Sequence, residues 1–236
     1  LAVLLQALAL AGCGQATAPE ANVAAPAPAR PAAAAADRPV AGPERLVLAF
    51  GDSLYAGYGL EDGQSLPDAL QRRLRAAGIN ARVVNAGVSG DTSAAGRQRL
   101  QFTLDNLPRT PDLVVLGLGG NDMLRRIPAA ETRANLAAML DVLDGRDIPV
   151  VLTGMLAAPN LGPDYACEFN GIYPDLAREH DATLDPFILD GALGRPSMML
   201  PDGIHPSAAG VEVIADRLAP LLERRLGQPA AASTSG

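Results

Sequence analysis

The chain has 236 residues, with 26 acidic side chains against 19 basic ones, all arginine, and a formal net charge of −7. An acidic balance of this size argues against nucleic acid as a partner and against electrostatic docking on anionic lipid. Aromatic residues make up 3% of the chain and tryptophan is absent, so a substrate groove here is mostly aliphatic.

The N-terminal segment reads as targeting rather than fold. Leu1 to Leu10 is apolar apart from Gln6, and too short for the roughly 18 residues of a spanning helix. Leu10-Ala11-Gly12-Cys13 follows. This tetrad resembles a bacterial lipobox, which implies a signal over 1–13 and lipidation of Cys13 in the periplasm or cell envelope; the alternative is an ordinary secretory signal and a soluble periplasmic or secreted protein. Residues 14–43 are rich in Ala and Pro with no apolar period, the composition of an extended tether. The domain is expected over 44–227, and 228–236 is expected to be a disordered tail. Cys167 is then left as a single thiol, expected to be partly buried and structural.

Within the domain, strand and helix patterns alternate. Leu46 to Phe50 is a continuous apolar run, as in a strand buried on both faces. Ser65 caps a helix, with Pro67 in its first turn and Asp68 placed for a capping box. Leu66, Ala69, Leu70, Leu74 and Ala77 share one face of that helix, and Gly78 ends it. Arg82 to Asn85 is a second strand, and Thr92 to about Asn106 a helix. Leu113 to Leu118 is a third strand. Glu131 to Leu143 carries a helical stripe of Leu136, Met139, Leu140 and Leu143. Pro149 to Thr153 is a fourth strand, Ala166 to Glu179 a helix, Thr183-Leu184 a short fifth strand and Ser207 to Leu226 a last helix. This order predicts an α/β fold: a three-layer, doubly wound, parallel five-stranded sheet with helices on both faces. Right-handed crossovers place the strand C-termini along one edge, where ligands bind.

The polar motifs fall at that edge. Gly51-Asp52-Ser53 follows the first strand, Asn85 to Asp91 the second and Gly119-Gly120-Asn121-Asp122 the third, while Asp202-Gly203-Ile204-His205-Pro206 precedes the last helix. Serine, histidine and carboxylate form a complete set for nucleophilic acyl transfer. Ser53 sits where a tight turn exposes its hydroxyl. His205 is the one well-placed base; His180, at a helix end, is expected to be solvated or to compensate the helix dipole. Asp202, three residues before His205, has the reach to hold the imidazole. Gly90 permits close backbone approach, and Asn121 offers a side-chain amide. Asp52 and Asp122 read as hydrogen bonders that position Ser53 and Asn121, and Ser89 and Ser93 as turn or cap residues.

Phe-Gly-Asp-Ser-Leu at 50–54, Gly90 in Val-Ser-Gly-Asp-Thr, Gly-Gly-Asn-Asp at 119–122 and Asp-Gly-Ile-His-Pro at 202–206 resemble the four blocks of the SGNH (GDSL) hydrolases. Within that family the resemblance points to the bacterial periplasmic group of multifunctional acyl-CoA thioesterases, lysophospholipases and arylesterases. It covers Leu46 to about Leu226. It implies Ser53, Asp202 and His205 as the catalytic residues, and Ser53 N–H, Gly90 N–H and Asn121 as the oxyanion hole. It further implies a small acyl ester or thioester substrate and no cofactor, while the lipobox resemblance implies contact with membrane through the lipid anchor alone. A carbohydrate or peptidoglycan O-deacetylase shares that catalytic set, and a non-catalytic envelope binding module shares the fold. The segments Met123 to Ala130 and Leu156 to Asp164 are expected to wall the groove.

Other chemistries lack their residues. No Gly-x-Ser-x-Gly elbow is present. Gly117-Leu118-Gly119-Gly120 lacks the third glycine of a dinucleotide fingerprint, and no lysine follows a glycine-rich loop. Two histidines and two scattered cysteines give no metal-ligand spacing.

Overall fold

The structure is a computed structural model and describes residues 39–227. Cys13, the tether and the tail lie outside the described residues, apart from the last five tether positions. Five parallel strands form one sheet in the order β2-β1-β3-β4-β5: β1 (Arg45–Gly51), β2 (Ala81–Gly87), β3 (Leu113–Gly117), β4 (Val150–Thr153) and β5 (Thr183–Asp185). The sheet order reverses beside β1, so the loops after β1 and β3 open a crevice between them, the expected place for a ligand.

The helices are α1 (Ser53–Ala56), α2 (Leu66–Ala76), α3 (Ser93–Asp105), α4 (Gly120–Leu124), α5 (Ala129–Asp144), α6 (Pro163–Glu179) and α7 (Ala208–Gly227). α2 packs with α7, while α3 packs with α5 and α5 with α6. Leu46 to Phe50 and Leu113 to Leu116 are fully buried between these layers, which is why both runs are apolar without alternation. The α2 cap forms as the sequence predicts: Ser65 accepts from the Asp68 N–H and the Asp68 carboxylate accepts from the Ser65 N–H. Arg72 and Arg73 reach across to Glu212 and Asp216 on α7.

α1 and α4 are additions to the sequence reading. Both are single turns of four and five residues, too short to show a 3.6-residue period. α1 lies directly on the sheet edge, and register explains how. Gly51 pairs with Gly87 on one side and Gly117 on the other. A Cβ on Gly51 or Gly117 would stand 2.2 or 2.5 Å from the Tyr55 ring, and one on Gly87 would stand 2.2 Å from the Ala56 nitrogen. A row of three glycines lets the turn after β1 settle onto the strand ends.

At the other edge of the sheet, Ala41, Gly42, Ile79, Leu226 and Gly227 line one cleft. No helix among the described residues is long and apolar enough to cross a membrane.

Candidate active site

Ser53 is the first residue of α1. Asp52 caps the turn, its Oδ1 accepting from the Leu54 N–H at 3.0 Å. The cap fixes the backbone on both sides of Ser53 and leaves its hydroxyl half-buried at the crevice. His205 Nε2 lies 2.9 Å from Ser53 Oγ. His205 Nδ1 lies 2.7 Å from Asp202 Oδ2. A carboxylate only accepts, so Nδ1 carries the hydrogen and Nε2 presents a lone pair to the serine hydroxyl. Asp202 Oδ1 also accepts from the Ile204 and His205 backbone N–H groups at 2.9 and 3.0 Å. The backbone N–H of His205, followed by its ring, pulls the Asp202 carboxyl down to about 2. The loop is closed at its base by Leu200 N–H on His205 O at 2.8 Å. Tyr58 covers one face of the imidazole, the ring centroids 4.3 Å apart.

Gly90 has φ +85°, a backbone state that favours glycine. Its carbonyl accepts from Arg125 Nη2 at 2.9 Å. Asn121 Nδ2 donates to Asp91 O at 2.9 Å and stands 3.4 Å from Asp52 Oδ2. Asp122 is fully buried and takes bonds from the Ser93 N–H at 2.8 Å, the Ser93 hydroxyl at 2.5 Å and Thr132 Oγ1 at 3.2 Å. It thereby binds α4 to the start of α3 and to α5, and holds Asn121 at the crevice.

Ser53, Asp202 and His205 therefore meet in one bonded chain, while Gly90 and Asn121 stand on adjoining loops joined through Asp91. His180 is elsewhere. Its side chain is largely covered rather than solvated, and it stands at the C-cap of α6, the helix end expected of it, with Nδ1 2.6 Å from Asp144 Oδ2 where α5 also ends. Cys167 is exposed rather than partly buried, because it falls on the outer face of α6 while Phe169, Ile172 and Tyr173 turn inward. Nothing in the sequence marks Tyr58, Arg99 or Arg125. The five-residue spacing from Ser53 to Tyr58 carries no recognisable period, and both arginines make their contacts across loops distant in sequence.

Asp52 is buried, and that burial raises its carboxyl to about 6, against the opposing pull of the Leu54 N–H and His205. In an unfolded chain the same group titrates near 3.8. Between these values the folded state binds the proton more tightly, so this group adds stability as pH falls from about 7 to about 4, by up to roughly 3 kcal/mol. Asp202 acts in the opposite sense and lower: its contribution is complete above its unfolded value of 3.8 and is lost as pH falls towards about 2. Asp52→Asn is expected to be more stable than the parent at pH 8, with the gap closing towards pH 4. Urea unfolding from pH 4 to 8 measures it, and a gap independent of pH would contradict the assignment.

The profile of the GDSL-like lipase/acylhydrolase family matches residues 49–213. The chain belongs to this family. Esterase TesA of Pseudomonas aeruginosa is 40% identical over 179 residues, covering 76% of this chain and 88% of its own. Thioesterase 1/protease 1/lysophospholipase L1 of Escherichia coli K12 is 35% identical over 177 residues, covering 75% of this chain and 83% of its own. The crystal structure of AlinE4, an SGNH-hydrolase family esterase, superposes with a TM-score of 0.68 at 50% identity, over 80% of this chain and all of that one. The five-stranded parallel sheet and the loops it presents are thus those of a GDSL hydrolase.

In this GDSL hydrolase the two expected wall segments touch. The Ala158 N–H points at Met123 Sδ at 3.2 Å, and the hydroxyl of Tyr165, one residue past the second segment, donates to Ile127 O at 3.0 Å. Leu124 and Leu156 remain exposed on them.

Proposed function

We propose that this GDSL hydrolase is a serine esterase that cleaves carboxylic esters and thioesters of acyl chains through an acyl-enzyme. The observation that carries the reading is the bonded chain from Ser53 Oγ to His205 Nε2 at 2.9 Å and from His205 Nδ1 to Asp202 at 2.7 Å. Ser53 attacks the acyl carbonyl as His205 takes its proton. Asp202 holds the imidazole and stabilises the imidazolium. The leaving alcohol or thiol departs with the proton from His205, and water, activated by the same base, releases the acid. Ser53 N–H, Gly90 N–H and Asn121 stabilise the oxyanion. Asn121 suits this role because only one of its amide hydrogens makes a short bond. The other is directed at Asp52, with Nδ2 3.4 Å from Oδ2, a long N–H···O contact that a developing oxyanion would replace.

Aryl esters, acyl thioesters and lysophospholipids are the proposed substrates, supported by the names of the relatives, an arylesterase of Vibrio mimicus (37% identical over 180 residues) among them, and by the exposed Leu124 and Leu156, which follow Asn121 and the end of β4. The test is a fluorophosphonate probe with a panel of 4-nitrophenyl esters of rising chain length, an acyl-CoA and an acetylated sugar. Labelling at Ser53 and turnover of the acyl esters are expected. Absence of labelling would overturn the serine mechanism, and turnover of the sugar alone would replace the acyl-chain reading.

The proposed location is the bacterial envelope, with lipid on Cys13. This rests on Leu10-Ala11-Gly12-Cys13 in the sequence. Full-length protein is expected to partition into detergent and Cys13→Ser to remain in the aqueous phase; a Cys13→Ser protein that still partitions would refute the anchor.

A further inference from the structure

Arg99 lies on α3, outside the catalytic chain, yet its guanidinium bonds to both loops that flank the reacting serine. Nε donates to Asp91 Oδ2 at 2.6 Å, and Nη2 donates to Gly51 O at 2.9 Å. The guanidinium carbon sits 3.9 Å from the centre of the Phe50 ring. Gly51 is two residues before Ser53, and Asp91 is the residue after Gly90. Gly51 O also accepts from the Val88 N–H at 3.0 Å, and Asp91 O from Asn121 Nδ2 at 2.9 Å. One planar cation therefore spans from the end of β1 to the Gly90 loop, and Asn121 closes the circuit from the third side.

We propose that Arg99 is a positioning residue that sets the spacing between the Ser53 turn and the Gly90 loop while neutralising the Asp91 carboxylate beside the reacting carbonyl. This rests on the reading that Ser53, Gly90 and Asn121 hold the oxyanion. The physical case has two parts. Donors stabilise a developing oxyanion only when fixed at hydrogen-bond distance from where it forms, and two donors here sit on different loops. A fork of rigid geometry with several N–H groups is the side chain suited to hold two acceptors at once. The second part is charge. Asp91 is largely covered, 13% exposed in its side chain, and it already repels Asp52. Left without its cation, it would oppose a second negative charge forming nearby. An ion pair that served stability alone would change the unfolding temperature and leave turnover as it is.

The test is Arg99→Met, which keeps an unbranched apolar side chain of similar length and removes both hydrogen bonds together with the guanidinium over Phe50. Turnover of a small 4-nitrophenyl ester is measured in the parent and in the Asn121→Ala background. A fall in kcat of about 10- to 100-fold is expected, with KM within about twofold. In the Asn121→Ala background the same substitution should cost at least about threefold less than in the parent, because the spacing part acts through the loop that Asn121 also holds while the charge part remains. Arg99→Lys retains the charge and reaches one partner at a time, so it should fall between the parent and Arg99→Met; it carries the same comparison if the methionine variant does not fold. Unchanged kcat in folded Arg99 variants, or an equal cost in both backgrounds, overturns the proposal. Unchanged kcat in Asn121→Ala alone overturns the oxyanion reading beneath it, and that result appears without touching Arg99.

Discussion

Replacing Ser53 by alanine is expected to lower kcat by about 10³-fold or more while the protein stays folded. The hydroxyl makes no core contact that the fold depends on: it faces His205 Nε2 at 2.9 Å, and the turn around it is held by Asp52 and by the glycine row under α1. His205→Ala should fall as far, and the double variant little further, since nucleophile and base act as one unit. His180→Ala is the internal control. It removes the bond to Asp144 at 2.6 Å, so it should lower the unfolding midpoint and leave turnover close to the parent. Steady-state kinetics on one aryl ester with thermal unfolding alongside separates these outcomes. Activity near the parent level in a verified Ser53→Ala sample would end the serine mechanism.

The second large effect is expected at Asn121. Asn121→Ala should cost roughly 10² to 10³ in kcat with a smaller change in KM, because the bond to the oxyanion strengthens only as charge develops. Asn121→Asp is the sharper variant. It keeps the size but replaces the donor by a negative acceptor that faces Asp91 O and Asp52 Oδ2, the present partners of the amide. It should be at least as damaging as alanine. A rise in KM with kcat unchanged would make Asn121 a substrate-binding residue instead.

The individual strands and the Ser65 cap can be read from the chain because each has a local cause. Leu46 to Phe50 is apolar without alternation since both faces are covered, and Ser65 with Asp68 forms a reciprocal cap within four residues. The four polar blocks could be read because each directly follows a strand or precedes a helix. What sequence did not reveal depends on partners far apart in the chain. His180 is covered because α5 and α6 end side by side, which places Asp144 against it across 36 positions. Arg99 meets Gly51 across 48 positions, and nothing in the α3 sequence distinguishes it from Arg97. The glycines at 51, 87 and 117 stand far apart in the sequence, and only strand register aligns them in one row.

The cleft that Ala41 and Gly42 share with Leu226 and Gly227 lies across the sheet from Ser53. β1 runs seven residues between these edges, on the order of 20 Å at the usual rise of a strand. Joining the two sides of that cleft with a short flexible linker and opening the chain in a surface turn such as that at Gly78 would give a circular permutant with the reacting loops undisturbed. The same geometry suits coupling to a solid support: attachment through residue 39 or 227 points the crevice outward, so the bound enzyme should keep its access to bulky esters.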